Sequence, residues 1–209
     1  MSAEKQFEIL YDHYKDSFAY IQEYLKRREK LFIYILIVIF LQFLQIYSSE
    51  QSAGALNVFL EKQFNFSFIL SKEFVNILLW FFLFSISLRY FQINILISRQ
   101  YNYIHSIEDK LCEKSEDKNF IRREGREYLK NYAYLSNWAH IIYTWVFPIL
   151  LLLVAFIKII LSIIIRESPY WNLVISGIFF IAICITSILY LIDIHPKNLP
   201  PTERSSGER

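Results

Sequence analysis

Two bases stand alone inside long apolar stretches: Arg89 in FVNILLWFFLFSISLRYFQINILI and Lys158 in the stretch 138–165. An ionisable side chain at membrane depth is costly, and it marks either an ion path or a side chain reaching for the headgroups. No Asp or Glu lies within the core of any apolar stretch to pair with them. Proton relays and cation carriers rely on such acids, so the pattern fits better with an anion-tolerant or weakly selective pore lined by fixed bases. Snorkelling is the competing reading, because Arg89 lies near one end of its stretch and Lys158 is two turns from Arg166. Weaker polar groups accompany both. The third stretch carries His140, Thr144, Pro148, Ala155, Lys158 and Ser162 at spacings of 3, 4 or 7, and the first carries Tyr34, Gln42, Gln45 and Ser49. Stripes of this kind either hold helices together or line a pore.

A second basic group has a different chemistry. Arg122, Arg126 and Lys130 are four residues apart, hence on one helical face, with Arg123 beside them and Tyr128, Tyr132 and Trp138 nearby. Such a face can hold phosphates while aromatic rings stack on bases, which makes a nucleotide or oligonucleotide a candidate ligand. The plainer reading is that bases near a span end set orientation or meet anionic lipid. Arg99 and His105, in RQYNYIH, resemble the Arg-x5-His form of HEPN ribonucleases, in which the two residues act at a scissile phosphate. The motif is short, and here it sits in a seam-forming helix, where a solvated Arg and His is the competing reading. There is no Gly-rich phosphate loop, no Gly-x-Ser-x-Gly and no His-Glu-x-x-His, and His13, His105, His140 and His195 do not cluster with Cys112 or Cys184. The expectation is a protein without metal or cofactor and without enzymatic activity.

The elements that must position these residues are helices. With 55% hydrophobic and 18% aromatic residues and only 4 Gly among 209, the chain has the composition of a membrane protein. Roughly 20 apolar residues at 1.5 Å rise cross a hydrocarbon core of about 30 Å. Four stretches meet that length: Leu31 to Ser48, Phe74 to Leu96, Trp138 to Ile165 with a kink expected at Pro148, and Trp171 to Ile192. Nothing stops the second helix at the membrane. Ile93, Ile97, Ile104, Ile107 and Leu111, with Gln100 in the missing place, continue it as a coiled-coil seam, and Phe7, Tyr11, Tyr14, Phe18, Ile21 and Leu25 form a matching seam in the N-terminal arm.

The resulting fold class is an all-α membrane protein, four transmembrane helices with cytoplasmic helical extensions forming a collar. Its parts are an amphipathic arm (1–30), two spans with an outer loop (31–97), a cytoplasmic helical region (98–137), a transmembrane hairpin (138–192) and a polar tail (193–209). The arm carries six Lys or Arg, the segment Arg99 to Lys130 eight and the tail three, against Lys62, Lys72 and Arg166 on the other side. That asymmetry predicts both termini in the cytoplasm of a cell whose inner membrane holds the protein. The acidic arm and the lack of a cleavage pattern predict that the first apolar run is retained.

The passage RYFQINILISRQYNYIHSIEDKL, then FIRREGREYLKNY and a Trp-containing approach to the next span, resembles small multi-span membrane proteins of bacterial antiviral loci. These include SLATT-type effectors, channel partners of nucleotidyltransferases and membrane accessory proteins of RNA-guided systems. The resemblance covers roughly residues 74 to 150. It implies a homo-oligomer that depolarises or permeabilises the membrane when a cytoplasmic nucleotide, oligonucleotide or soluble defence protein signals to it. A non-conducting anchor that recruits a soluble partner through the helical collar is the alternative, and a membrane-bound ribonuclease a weaker one.

Overall fold

The computed structural model describes residues 3–47, 49–64, 71–114, 138, 141–165 and 169–194. Every one of these is helical except Ser71 and Pro169, each of which stands immediately before a helix. Helix α1 (Ala3–Tyr47) joins the N-terminal arm and the first apolar stretch without a break, and α2 (Ser49–Phe64) follows. Helix α3 (Lys72–Lys114) is 43 residues long. A π-helical turn (Ile142–Val146) leads into α4 (Phe147–Ile165), and α5 (Tyr170–Ile194) closes the described chain. Four of these helical segments are long and apolar enough to cross a membrane.

Why α1 and α3 run so far is plain from their sequences. Neither contains Gly or Pro, so no residue removes a helical hydrogen bond or favours a left-handed turn. Ser71 starts α3, its hydroxyl accepting the Phe74 N–H at 3.3 Å, with Glu73 in the first turn complementing the helix dipole. In α1 the exposed pair Glu23 and Arg27, one turn apart, bridges the passage from charged arm to apolar stretch.

The two long helices pair antiparallel. Tyr14 meets Glu108 at one end, Gln42 meets Leu79 farther along, and Gln45 meets Lys72 at the other end. At 1.5 Å per residue each is about 65 Å long, twice the hydrocarbon thickness of about 30 Å. Among the described residues, one half of the pair packs only on itself as a two-helix rod, and the other half joins α4 and α5 in a four-helix bundle. The rod core is Tyr14, Ile21, Ile104, Ile107 and Leu111, flanked by Phe7, Leu10, Phe18, Leu25 and Tyr101. Thus the two seams legible in the sequence close on each other within one chain. The N-terminal seam is shifted by one position at its start: Leu10 packs inward and Tyr11 is 47% exposed. Ser17 is also buried at the interface, alongside half-buried Phe18.

In the bundle, Phe91 stacks on Tyr190 with ring centroids 4.5 Å apart, and Asn76 reaches Asn172, so α3 and α5 run parallel. Helix α4 runs against both, since Tyr90 packs on Phe147 while Trp80 faces Lys158. The buried layers are Ile35, Val38, Ile39, Leu79, Trp80, Leu83, Leu151, Ala155 and Ile183. The outer faces are equally apolar: Phe40, Ile164 and Ile178 are each at least 60% exposed. Such surfaces suit a hydrocarbon solvent and would aggregate in water.

Candidate functional site

Pro148 determines the geometry at the rod end of the bundle. Proline has no N–H and its ring crowds the preceding turn, so an α-helix through this point loses a bond and must adjust. The adjustment is the π-helical turn: the Phe147 N–H bonds to Ile142 O, five residues back. That register assigns Tyr143 O to Pro148, which has no hydrogen to give, and the returning α register assigns Thr144 O to the same residue. Both carbonyls are met by buried tyrosines from other helices. Tyr90 of α3 donates to Tyr143 O at 2.8 Å, and Tyr190 of α5 donates to Thr144 O at 3.2 Å. The predicted kink is thus a π turn, held by two hydroxyls that each replace a missing backbone donor. Arg28 of α1 lies over the Tyr143 ring, 4.6 Å from its centroid, which brings a base against the same turn.

From this turn a lane of polar side chains runs through the bundle interior. Asn94 and Ser87 of α3 and Ser187 of α5 come first, then Lys158 of α4 and Gln42 of α1, and Asn172, Ser176 and Gln45 lie toward the far end; all are less than 9% exposed. Hydrogen bonds satisfy part of the lane. The Asn76 amide donates to Asn172 Oδ1 at 3.0 Å and Ser176 Oγ at 3.1 Å, and Gln45 donates to Lys72 O at 2.9 Å. The remainder is unsatisfied among the described residues: Gln42 Oε1, Gln45 Oε1, Trp80 Nε1, Ser87 Oγ, Lys158 Nζ, Asn172 Nδ2 and Ser187 Oγ. A buried polar group without a partner costs about 1–3 kcal/mol, so a whole lane of them is a heavy load for packing alone.

Lys158 is the one ionisable side chain in the lane. It is 2% exposed and does not snorkel; its ammonium lies over the face of Trp80, 5.0 Å from the ring centroid. Of the other residues singled out in the sequence, Thr144, Gln42 and Gln45 also point inward, and Ser162 is half-buried with its hydroxyl donating back to Lys158 O at 2.9 Å. Arg89 is exposed, with Nη1 donating to Gln92 Oε1 at 3.2 Å, so the two lone bases of the apolar stretches do not share a surface within one chain. The basic face Arg122, Arg123, Arg126 and Lys130 lies outside the described residues, as does His140. In the rod, Arg99 is exposed whereas His105 is half-buried with Nδ1 3.7 Å from Glu108 Oε2. Six residues of helix put them about 120° apart around α3. No group of His, Cys, Asp and Glu among the described residues could hold a metal, and Cys112 and Cys184 form no disulfide.

Sequence reasoning missed the contribution of α3 and α5. Asn76, Ser87 and Asn94, and Asn172, Ser176 and Ser187, each look like isolated small polar residues in an apolar run. The signal that could have found the second set is its phase: Asn172, Ser176, Ile183, Ser187 and Tyr190 are spaced 4, 7, 4 and 3, one helical face.

Fold and interior together define a helical protein with four candidate membrane spans and a polar lane between them. Compared with known proteins, the chain matches no family model, no curated protein and no solved structure.

Proposed function

We propose that this chain is a homo-oligomeric, multi-pass membrane effector that lets ions cross the bilayer along the polar lane when a signal arrives on the rod side. The observation that carries the reading is Lys158: a buried base, in line with polar groups from all four helices, in a bundle whose apolar stretches contain no acid. Burying such a group in a purely structural bundle gains nothing that Leu would not supply better. Bases are concentrated in the arm, in the segment 99–130 and in the tail, which supports a cytoplasmic location for the rod and both termini, in a bacterial inner membrane. Rods from several subunits would form the collar, and the receiving surface would be the basic face Arg122, Arg123, Arg126 and Lys130, with a nucleotide, an oligonucleotide or a soluble protein as ligand. The signal must bind the conducting state better than the closed one. The antiviral setting rests on the resemblance of residues 74 to 150 alone.

Single-channel recording of the purified chain in a planar bilayer, with and without short oligonucleotides on the rod side, tests the reading. Discrete openings are expected, and Arg122→Glu combined with Arg126→Glu and Lys130→Glu should abolish their response to ligand. Silence in every condition, despite confirmed insertion and oligomerisation, overturns conduction.

A non-conducting scaffold is favoured by a separate observation. Tyr11, Tyr20 and Tyr103 on the rod are 47%, 54% and 48% exposed. Exposed aromatic side chains on a rigid helical pair suit a soluble partner. That reading predicts normal activity in a variant whose polar lane is replaced by Leu, where the conducting one predicts its loss.

A further inference from the structure

We infer that Lys158 and Trp80 form a binding site for one small monovalent anion of the halide class, buried in the bundle. The inference deepens the reading of the lane as an ion path, but its first test does not depend on conduction. Lys158 lies seven residues from the end of α4, about 10 Å along the axis, which is too deep for its ammonium to reach water past a packed neighbour. Its orientation agrees, because at 2% exposure the side chain is turned inward onto Trp80.

The charge is undercompensated. Removing an ammonium from water costs several kcal/mol even after relaxation, and an aromatic face returns only about 0.5–2 kcal/mol of that. No carboxylate of the four apolar stretches can supply the rest, since they contain no Asp or Glu. Gln42, whose amide donates to Leu79 O at 3.4 Å, brings an unused carbonyl oxygen to nearly the same level. One neutral acceptor does not neutralise a cation. Meanwhile Trp80, 0% exposed, has its own N–H without an acceptor among the described residues. Two buried donors on touching side chains, one of them charged, both lack an acceptor. A cation is repelled there, and a water or hydroxyl oxygen can accept from both donors but leaves the charge uncancelled, whereas a halide accepts from both and cancels the charge. A divalent anion would need a second base, and among the described residues Arg89 is turned away. The competing arrangement is a neutral Lys158 amine accepting from the indole N–H, and it predicts no dependence on halide.

Bromide quenches indole emission, so the full chain in nanodiscs can be titrated with bromide replacing gluconate at constant ionic strength. The Trp80 signal is the difference between the native chain and Trp80→Phe. Saturable quenching is expected, retained in Lys158→Arg and weakened about tenfold or more in Lys158→Gln, the scale of a lost charge-assisted hydrogen bond. Linear, collisional quenching in the native chain overturns the site, as does a saturable signal that is the same in Lys158→Gln. Reversal potentials across a KCl gradient give the second readout: anion preference in the native chain, lost in Lys158→Gln. Cation-selective currents overturn the anion site and leave conduction standing, whereas saturable quenching without current upholds the site and removes conduction.

Discussion

The rod and the bundle are built from the same two helices, yet their polarity is opposite. In the rod, Ile21, Ile104, Ile107 and Leu111 are buried while Glu8, Asp12, Lys15 and Asp16 are exposed, the arrangement of a water-soluble coiled coil. Its buried acid, Glu108, is met by the Tyr14 hydroxyl at 3.2 Å. In the bundle, Ile33, Phe40 and Phe81 are exposed, and the interior holds Gln42, Ser87 and Lys158 with polar atoms to spare. The comparison shows which burial serves stability and which does not. Where water drives packing, an apolar seam suffices; a bundle whose outer face is itself apolar has the surface of a candidate membrane span, and in a hydrocarbon solvent apolar burial would gain little and leave the interior free to hold polar groups.

The contrast can be broken most severely in the rod. Ile104→Asp together with Ile107→Asp puts two charges at positions 0% and 2% exposed. A loss of about 3–5 kcal/mol is expected, the scale of an unpaired buried charge. Limited proteolysis should then cut the arm while the Trp80 emission of the bundle is unchanged; simultaneous loss of both would show that rod and bundle fold as one unit.

At the π turn the expected effect is smaller and takes the form of a coupling. Tyr190→Phe removes the hydroxyl that donates to Thr144 O and should cost about 1–3 kcal/mol in the thermal unfolding of the bundle. Pro148→Ala restores the missing backbone donor, so in that background Tyr190→Phe should cost about 1 kcal/mol less. Strict additivity in the double-mutant cycle would mean that the tyrosine does not replace the proline's absent N–H.

Asn76→Leu, at the far end of the lane, removes the donor that joins α3 to Asn172 and Ser176. Interhelical hydrogen bonds of this kind average about 0.6 kcal/mol in membrane proteins, and the same melt should register a loss of that order. Smallest of all is Arg27→Ala. Both partners of the Glu23 pair are about half exposed, and less than about 0.5 kcal/mol should be lost. A larger loss would show that this junction, where helix α1 passes from its charged arm to its apolar stretch, is under more strain than its exposure indicates.

Much of the architecture is legible without coordinates. Apolar length marks four helices, the absence of Gly and Pro carries α3 through to Lys114, and the recurrence of Ile93, Ile97, Ile104, Ile107 and Leu111 marks the buried face of its rod. These are local properties, set by period and propensity along one chain segment. The phase at the start of α1 is not set by the local pattern: Leu10 and Tyr11 are adjacent, and only the fit against the buried rod core selects Leu10.

The candidate site divides along the same line. That Lys158 and Arg89 are lone bases, and that Pro148 disturbs its helix, are facts of the sequence alone. Which base faces inward is a question of rotation about a helix axis, and that depends on what the neighbouring helices present. Only in the folded bundle does Trp80 meet Lys158, and only there do Tyr90 and Tyr190, 53 and 46 residues away from their acceptors, reach the two carbonyls that Pro148 leaves without a donor. Helix identity is carried by neighbours three or four residues apart; the polar lane is a product of four helices meeting, and no single stretch of sequence contains it.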